Sequence, residues 1–421
     1  AVNEGLTVFN LVDGVVDEFH DESGTDEGEG SNDTYCATSD YYHNITFTPA
    51  PYSAGFTTTA TTEEDTSEAG TNPKQGCGTF GTFTVPTGLT ALTVNVWGSG
   101  GGGACSPQPN SGGGGGFASG VAAVTPGQAL TVVVGEGGEG SNPVSNTGTR
   151  GGLGGYRPSP ARAWPTQTAN TGGGGSMNPQ TSGTLGYITG GGGLSGLFSA
   201  ALSGGAPTAI IVAGSGGGGE YCNSGSNNNG GGGGGLTGFK AGSYPHAADT
   251  GVNGGRGGGG DQEQGGAGGT GSQNGGGPTS PSDINAHAGG LFYGGNNALR
   301  TDPNGTYGAG GGAGYYGGGG GAWRPGIHGS GGGGSSFYGH PQVTSGATEA
   351  SAPDSTEGGG TTSPLYVADT NEGGAYPAGD GEDGYVLLSG TGCTQSPGAT
   401  STIVSNAFAA SSVPTTSRIV V

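Results

Sequence analysis

The sequence is poor in the residues that most proteins use to build a core or to bind charged partners. Its 421 residues include one Met, three Trp and nine Lys or Arg, and only 29% of them are hydrophobic. No apolar run approaches the roughly 20 residues that a membrane-spanning helix needs, so we expect no membrane insertion. With 31 acidic residues and a net charge of −22, the chain is also a poor partner for nucleic acid.

Catalytic motifs are equally scarce. The sequence shows no G-x-S-x-G elbow, no H-E-x-x-H pair and no phosphate-loop lysine. Residues 135–140 match G-x-G-x-x-G after a strand-like segment, but Glu136 and Glu139 would repel a phosphate and no helix follows to bind one. We therefore expect a protein that is not an enzyme and that holds no organic cofactor.

Glycine is what the chain has in excess, with 108 residues. A chain with few apolar residues and a high net charge has the composition of a disordered protein. Each glycine that is fixed in regular structure costs about 0.5–1 kcal/mol more than alanine. A folded chain of this composition therefore needs an architecture that requires residues without side chains.

Short segments with period-two hydrophobicity predict β-strands. Phe83 and Val85 alternate with Thr before a Pro-Thr-Gly turn, and Leu92, Val94 and Val96 alternate with polar residues after it. Only residues 194–202 have some helical spacing. The further strands that we predict lie at 118–124, 129–134, 209–213 and 384–389.

Runs of four or more glycines follow or separate these strands, at 100–103, 112–116, 172–175, 190–193, 216–219, 230–235, 257–260, 317–321 and 331–334. Successive glycines can form a left-handed helix with three residues per turn and no internal hydrogen bonds. Its N–H and C=O groups must pair with neighbouring helices, and only glycine lets the backbones approach closely enough. We therefore predict a mainly β fold, a β-sandwich or jelly-roll-like frame packed with short polyglycine-II helices, with extended terminal arms and almost no α-helix.

The order of strand and glycine run is shared with a known family. FTVPTGLTALTVNVWGSGGGG (83–103), AIIVAGSGGGG (209–219) and GDGEDGYVLLSG (379–390) are the segments that carry the likeness. Over residues 78–392 the chain resembles the extracellular glycine-rich domain family, which includes the ectodomains of anaplastic-lymphoma-kinase-type receptors and glycine-rich phage adhesins. The resemblance implies a β-sandwich with polyglycine helices and an extracellular binding or structural role, and it carries over no catalytic residue.

Composition divides the chain into three regions. Residues 1–76 form an acidic N-terminal arm with an aromatic, strand-like patch at 35–56, residues 77–393 form the glycine-rich domain, and residues 394–421 form a Ser/Thr-rich tail. Residues 1–19 are apolar on both faces, as a fully buried strand would be, yet no hairpin partner follows them. The residues that we expect to mediate assembly are Leu6, Val8, Phe9, Leu11, Val12, Val15, Val16, Ile419 and Val420.

The five cysteines show no C-x-x-C spacing, which favours disulfides over a zinc site. Cys77 precedes the first core strand and Cys393 follows the last, so this pair would close the domain. Cys105 and Cys222 each lie close to a strand-plus-glycine unit and are candidates to pair with each other. Cys36 would then be left over, or would compete for Cys77.

An acidic cluster precedes the last predicted strand and consists of Asp380, Glu382 and Asp383. A turn is the favoured interpretation and a set of calcium ligands the alternative. Glycosylation sequons, which suit an extracellular protein, occur at Asn32, Asn44 and Asn304.

Together these features predict a secreted structural subunit that polymerises. Val2–Phe19 of one copy would complete the sheet of the next copy, and a heterologous contact of that kind gives an open filament. The chain opens at Ala1, as a processed protein would, and an extracellular or cell-surface location also suits the expected disulfides. The alternative is an adhesin that recognises a glycan or a receptor through loops between the glycine runs.

Overall fold

A computed structural model describes residues 33–36, 41–44, 49–57, 79–86, 88–104, 110–140, 174–175, 189–199, 208–220, 228–242, 255–271, 285–298, 308–324, 327–352, 355–375 and 379–393. These residues form thirteen β-strands and no α-helix. In chain order the strands are β1 (Asp33–Cys36), β2 (Tyr41–Asn44), β3 (Pro49–Phe56), β4 (Thr79–Thr84), β5 (Ala91–Trp97), β6 (Phe117–Ala123), β7 (Ala129–Val134), β8 (Ser195–Phe198), β9 (Ala209–Ala213), β10 (Trp323–Arg324), β11 (Ile327–His328), β12 (Val343–Glu349) and β13 (Tyr385–Cys393).

Two antiparallel sheets carry most of these strands. The larger has the order β12-β6-β5-β13-β3 and the smaller the order β4-β7-β8-β9, while β1 with β2 and β10 with β11 form separate pairs. Strands β5 and β6 of the larger sheet contact β8 and β9 of the smaller, so the two sheets lie face to face. The predicted mainly β fold with a sandwich frame is confirmed.

Contacts divide the chain into two compact units. One contains β1, β2 and the turn at 86–90, in which the Leu89 N–H donates to the Pro86 carbonyl at 3.3 Å. The other comprises residues 52–85 and 91–390 and holds the sheets and the glycine segments. The first residues of β3 and the last residues of β13 belong to the unit that contains β1 and β2.

The interior of the sandwich is built by the alternation that the sequence predicts. On β5, Leu92, Val94 and Val96 are fully buried, while Ala91 and Thr93 are exposed. Strand β9, which reads AIIVA, is buried along its whole length. Burial of a strand on both faces explains its unbroken apolar run.

Beyond the sandwich, glycine segments continue the strands as three-residue-per-turn helices. The Gly98 N–H donates to the Gly116 carbonyl at 2.9 Å, and three residues further on the Gly101 N–H donates to the Gly113 carbonyl at 2.9 Å. From one bond to the next, the residue number of the donor rises by three while that of the acceptor falls by three, so the two segments are antiparallel. Every third residue of a segment therefore bonds to the same neighbouring segment. This is the period of a polyglycine-II helix rather than the period of two of a strand.

Each segment is bonded to several neighbours, some of them parallel. The Gly216 N–H donates to the Ser99 carbonyl and the Gly219 N–H to the Gly102 carbonyl, both at 2.9 Å, with donor and acceptor numbers rising together. The segment 98–104 exchanges hydrogen bonds with the segments 110–116, 136–139, 189–193, 214–219, 371–374 and 379–382. The glycine runs are thus a solid hydrogen-bonded bundle, as predicted.

Close packing of backbones in this bundle explains why the residues must be glycine. A Cβ atom on Gly101 would overlap the carbonyl oxygen of Gly217, and one on Gly216 would overlap the carbonyl oxygen of Gly113. Any other residue would force these segments apart. The entropy that so many glycines lose on folding is therefore offset by hydrogen bonds that no larger residue would permit.

The helical spacing at 194–202 gives no helix in the part of this segment that the structure describes, residues 194–199. Ser195–Phe198 forms β8, which pairs with β7 on one side and β9 on the other. Leu194, Leu197 and Phe198 are each 0% exposed. A segment that is buried on all sides carries no informative period, and pairing with two neighbours decides its conformation.

Candidate assembly surface

Strands β3 and β4 lie on the same side of the sandwich, where no further described strand extends either sheet. Each strand ends its sheet, and aromatic contacts join them: the ring centroid of Phe83 on β4 lies 6.0 Å from that of Tyr52 and 6.2 Å from that of Phe56, both on β3. In the part of the chain that the structure describes, no strand pairs with the outer edge of either. We call these two edges, Tyr52–Phe56 and Thr79–Thr84, the open seam.

The open seam is apolar on its inner face. Phe83 is buried, whereas Tyr52 and Phe56 are half-buried and alternate with the exposed Ser53 and Gly55. Burial raises the pKa of the Tyr52 hydroxyl above its ordinary value. Rings that are only partly covered leave apolar surface that an added strand can bury.

On the opposite side of the sandwich, the edge of β9 is paired and the edge of β12 is bulged. The outer edge of β9 is paired with Phe337: the Val212 N–H donates to the Phe337 carbonyl at 2.9 Å and the Phe337 N–H donates back at 2.8 Å. On β12 the register with β6 shifts between Thr344 and Ala347, and Ser345 has a φ of 54°. A bulge of this kind twists an edge strand and disfavours further pairing.

The acidic residues before β13 form hydrogen bonds with the glycine bundle. The Asp383 carboxylate accepts the Gly137 N–H at 2.8 Å, and the Asp380 carboxylate accepts the Gly140 N–H at 2.7 Å. Both side chains therefore satisfy backbone donors of the segment 135–140. Among the residues that the structure describes, no group of three or more His, Cys, Asp or Glu could hold a metal ion.

The pKa of Glu382 in this turn is raised above its ordinary value. Burial of the carboxyl is the largest cause, and repulsion from the nearby Asp383, Asp369, Glu372 and Asp380 adds to it. Negative charge is thus concentrated at this end of the bundle.

A loop at 360–371 lies beside this acidic turn and exposes apolar side chains. Leu365 is 46% exposed and Val367 is 41% exposed. The loop is nevertheless held in place, because the Tyr366 hydroxyl donates to the Thr370 carbonyl at 2.8 Å and the Tyr366 ring lies 6.4 Å from that of Trp97. Ordered loops with exposed apolar tips are typical of recognition surfaces.

Buried hydroxyl groups join the sandwich to the bundle, and the sequence alone did not single them out. The Ser99 Oγ donates to the Gly193 carbonyl at 2.8 Å, and the Ser195 Oγ accepts the Gly135 N–H at 3.0 Å. The sequence signal that could have identified these hydroxyl groups is a serine at the boundary between a strand and a glycine run. Such side chains satisfy backbone groups where the hydrogen-bond period changes from two to three.

Many of the residues predicted from the sequence lie outside the described part. These are the assembly residues Leu6, Val8, Phe9, Leu11, Val12, Val15, Val16, Ile419 and Val420, the cysteines Cys77, Cys105 and Cys222, and the sequon residues Asn32 and Asn304. Cys36 lies in β1, Asn44 in β2 and Cys393 in β13, and only the backbone of these three residues is described. The disulfide and glycosylation predictions therefore remain predictions.

Across the described ranges, no helix is long and apolar enough to cross a membrane.

The chain matches no protein-family model and no curated protein sequence.

Proposed function

We propose that the protein is a secreted structural subunit that assembles into an extracellular filament, in which each copy donates a terminal strand to the next. The observation that carries this proposal is the open seam, where two sheets end side by side with partly covered aromatic rings and with backbone edges that no described strand fills. A strand supplied by another copy would extend a sheet and bury those rings.

The N-terminal arm has the composition of such a donor. Residues 1–19 carry apolar side chains on both faces, and the acidic stretch Asp17–Asp33 would serve as the spacer. An extended chain covers at most about 3.3–3.6 Å per residue, so a spacer of this length can reach over roughly 50 Å to a neighbouring subunit. A heterologous contact of this type does not close on itself and therefore builds a filament.

The glycine bundle suits the mechanical role of such a subunit. Its hydrogen bonds run between many short segments in both parallel and antiparallel directions. Deforming the subunit would break many of these bonds at once, since the segments have no side chains that could rearrange instead. A stiff block joined by exchanged strands is the design that we propose for the filament.

Electron microscopy of the purified full-length protein tests the proposal. We expect filaments from the wild-type chain and dispersed monomers when residues 1–19 are deleted. Filaments from the deletion variant would show that Val2–Phe19 is not the donor. Single particles from the wild-type chain under all assembly conditions would refute the filament.

A second candidate function is that of an adhesin, and the loop at 360–371 favours it. The exposed Leu365 and Val367 on an ordered loop could contact a surface glycan or a receptor. If this is the function, monomers will bind a glycan array or a cell surface, and the double substitution of Leu365 and Val367 to Ser will abolish the binding without changing the melting temperature.

A further inference from the structure

We propose that the acceptor for the donated strand is the outer edge of β4, and that residues 2–19 of a second copy pair there with the main chain of Phe80, Thr82 and Thr84. This inference rests on the proposed filament and specifies which of the available sheet edges is used.

The hydrogen-bond pattern of β4 identifies the free backbone groups. The Val85 N–H donates to the Gln128 carbonyl at 2.9 Å, just beyond the pairing of Thr84 with Ala129. Because hydrogen-bonded and non-hydrogen-bonded pairs alternate along an antiparallel ladder, Thr79, Gly81 and Phe83 bond inward to β7. The N–H and C=O groups of Phe80, Thr82 and Thr84 then point away from the sheet.

Every other outer edge of the two large sheets carries a feature that opposes strand addition. β9 is paired with Phe337, and β12 has a bulge and ends at Glu349. β3 begins with Pro49 and Pro51, which have no N–H to donate. Proline, charge and bulges are the devices that keep natural edge strands from pairing with other chains.

β4 carries none of these devices. It reads TFGTFT, without charge or proline, and its six residues pair with β7 in one unbroken register. A Cβ atom on Gly81 would meet nothing within 4 Å, so the strand is not crowded at its centre. An uncharged edge without proline or bulge is the kind of edge that accepts a strand.

The hydrophobic pattern of the donated strand, residues 2–19, matches the outer edge of β4. Leu6, Val8 and Val12 lie on one face of residues 2–19, which carry few charges before Asp17. Placed beside β4, that face would continue the inner surface at Phe83 and cover the half-buried Tyr52 and Phe56. The spacer that follows would remain in solvent.

A proline substitution in the full-length chain tests the edge directly. Thr82→Pro removes an N–H that points away from β7 and therefore leaves the sheet of the monomer intact. Thr348→Pro is the matched control, because Thr348 lies between Ala347 and Glu349, which bond inward to β6, and so has its N–H on the outer edge of β12. We expect at least a tenfold loss of filament mass with Thr82→Pro, normal filaments with Thr348→Pro, and unchanged melting temperatures for both.

The possible outcomes of this experiment test the β4 edge and the filament separately. Normal filaments from Thr82→Pro overturn the β4 edge and leave the filament itself standing. Loss of filaments only with Thr348→Pro assigns the acceptor to β12 instead. If the wild-type chain forms no filaments, the proposed function fails and this inference falls with it.

Amide hydrogen exchange in the wild-type chain gives an independent readout, which decides the matter if both variants lose assembly. The Thr82 and Thr84 amides should exchange at least roughly tenfold more slowly in the filament than in the monomer. Equal rates in the two states would exclude β4 as the acceptor. Protection already present in the monomer would mean that a segment of the same chain covers this edge, which also overturns the proposal.

Discussion

At the scale of the residue, the absence of a side chain is the property on which the bundle depends. A methyl group on Gly101 would overlap the carbonyl oxygen of Gly217, where the nearest atoms all belong to backbone that cannot rotate away. We predict that Gly101→Ala lowers the free energy of unfolding by about 1–3 kcal/mol or more, the usual cost of overpacking. Urea denaturation of the purified protein measures this change.

The matched control is Gly81→Ala on β4, where an added Cβ would meet nothing within 4 Å. Because alanine loses less entropy on folding than glycine, this variant should be as stable as the wild type or slightly more stable. Equal destabilisation by the two substitutions would mean that glycine matters here through chain flexibility rather than through packing.

The raised pKa of Glu382 predicts how stability depends on pH. The folded protein binds the proton of this carboxyl more tightly than the unfolded chain does. The free energy of unfolding therefore falls as pH rises through the interval between the unfolded and folded pKa values, and it stays lower above that interval. Glu382→Gln should then melt at a higher temperature than the wild type at pH 7.

Below the ordinary glutamate pKa of about 4.3 this advantage of Glu382→Gln should disappear, because the carboxyl is then protonated in both states. Thermal melting at a series of pH values gives the comparison. A difference that stays constant, or that grows as the pH falls, would contradict a raised pKa of Glu382 in the folded protein.

At the scale of the element, serine side chains allow a strand to become a polyglycine helix. The Ser336 Oγ accepts the Gly214 N–H at 3.0 Å and donates to the Gly234 carbonyl at 2.6 Å, and the side chain is fully buried. We predict that Ser336→Ala costs about 1–3 kcal/mol of stability, because it leaves a buried N–H without its acceptor. Chemical denaturation is the measurement.

Ser53→Ala provides the comparison for Ser336→Ala, since Ser53 is exposed on β3. Its effect should stay within about 0.5 kcal/mol, as for most surface substitutions. A comparably small effect of Ser336→Ala would show that the Gly214 N–H finds another partner and that the hydroxyl is dispensable.

The strands that could be predicted from the sequence are those with an apolar alternation or an unbroken apolar run. Strands β5, β7 and β9 lie where these patterns place them. β12 could not be predicted because VTSGATE has few apolar residues and is mostly exposed, and β8 could not because SGLF is too short to show a period.

The pairing of glycine segments could not be predicted from the sequence, for a physical reason. A run such as 331–334 is identical in composition to the run 216–219, so nothing in either specifies the other as its neighbour. Their contacts are set by the strands to which they are attached and by polar residues at their ends. The open seam was likewise invisible, because which strands end a sheet depends on the whole topology.

At the scale of the whole molecule, the protein combines a small apolar sandwich with a larger body held together by backbone hydrogen bonds. Most globular proteins derive their stability from burying apolar side chains. Among the described residues, the large buried apolar side chains lie mostly in the two sheets and in a cluster around Phe198 and Phe292, whose ring centroids lie 5.3 Å apart. A rigid body of this kind suits a subunit that transmits force along a filament.

Amide hydrogen exchange of the uniformly ¹⁵N-labelled protein tests the central claim, that the glycine segments are a packed hydrogen-bonded solid. We predict that the amides at 98–103, 214–219 and 331–334 exchange roughly a thousandfold more slowly than in an unstructured chain, as slowly as the amides of β5 and β9. Glycine amides that exchange at unprotected rates while the strand amides stay protected would contradict the account.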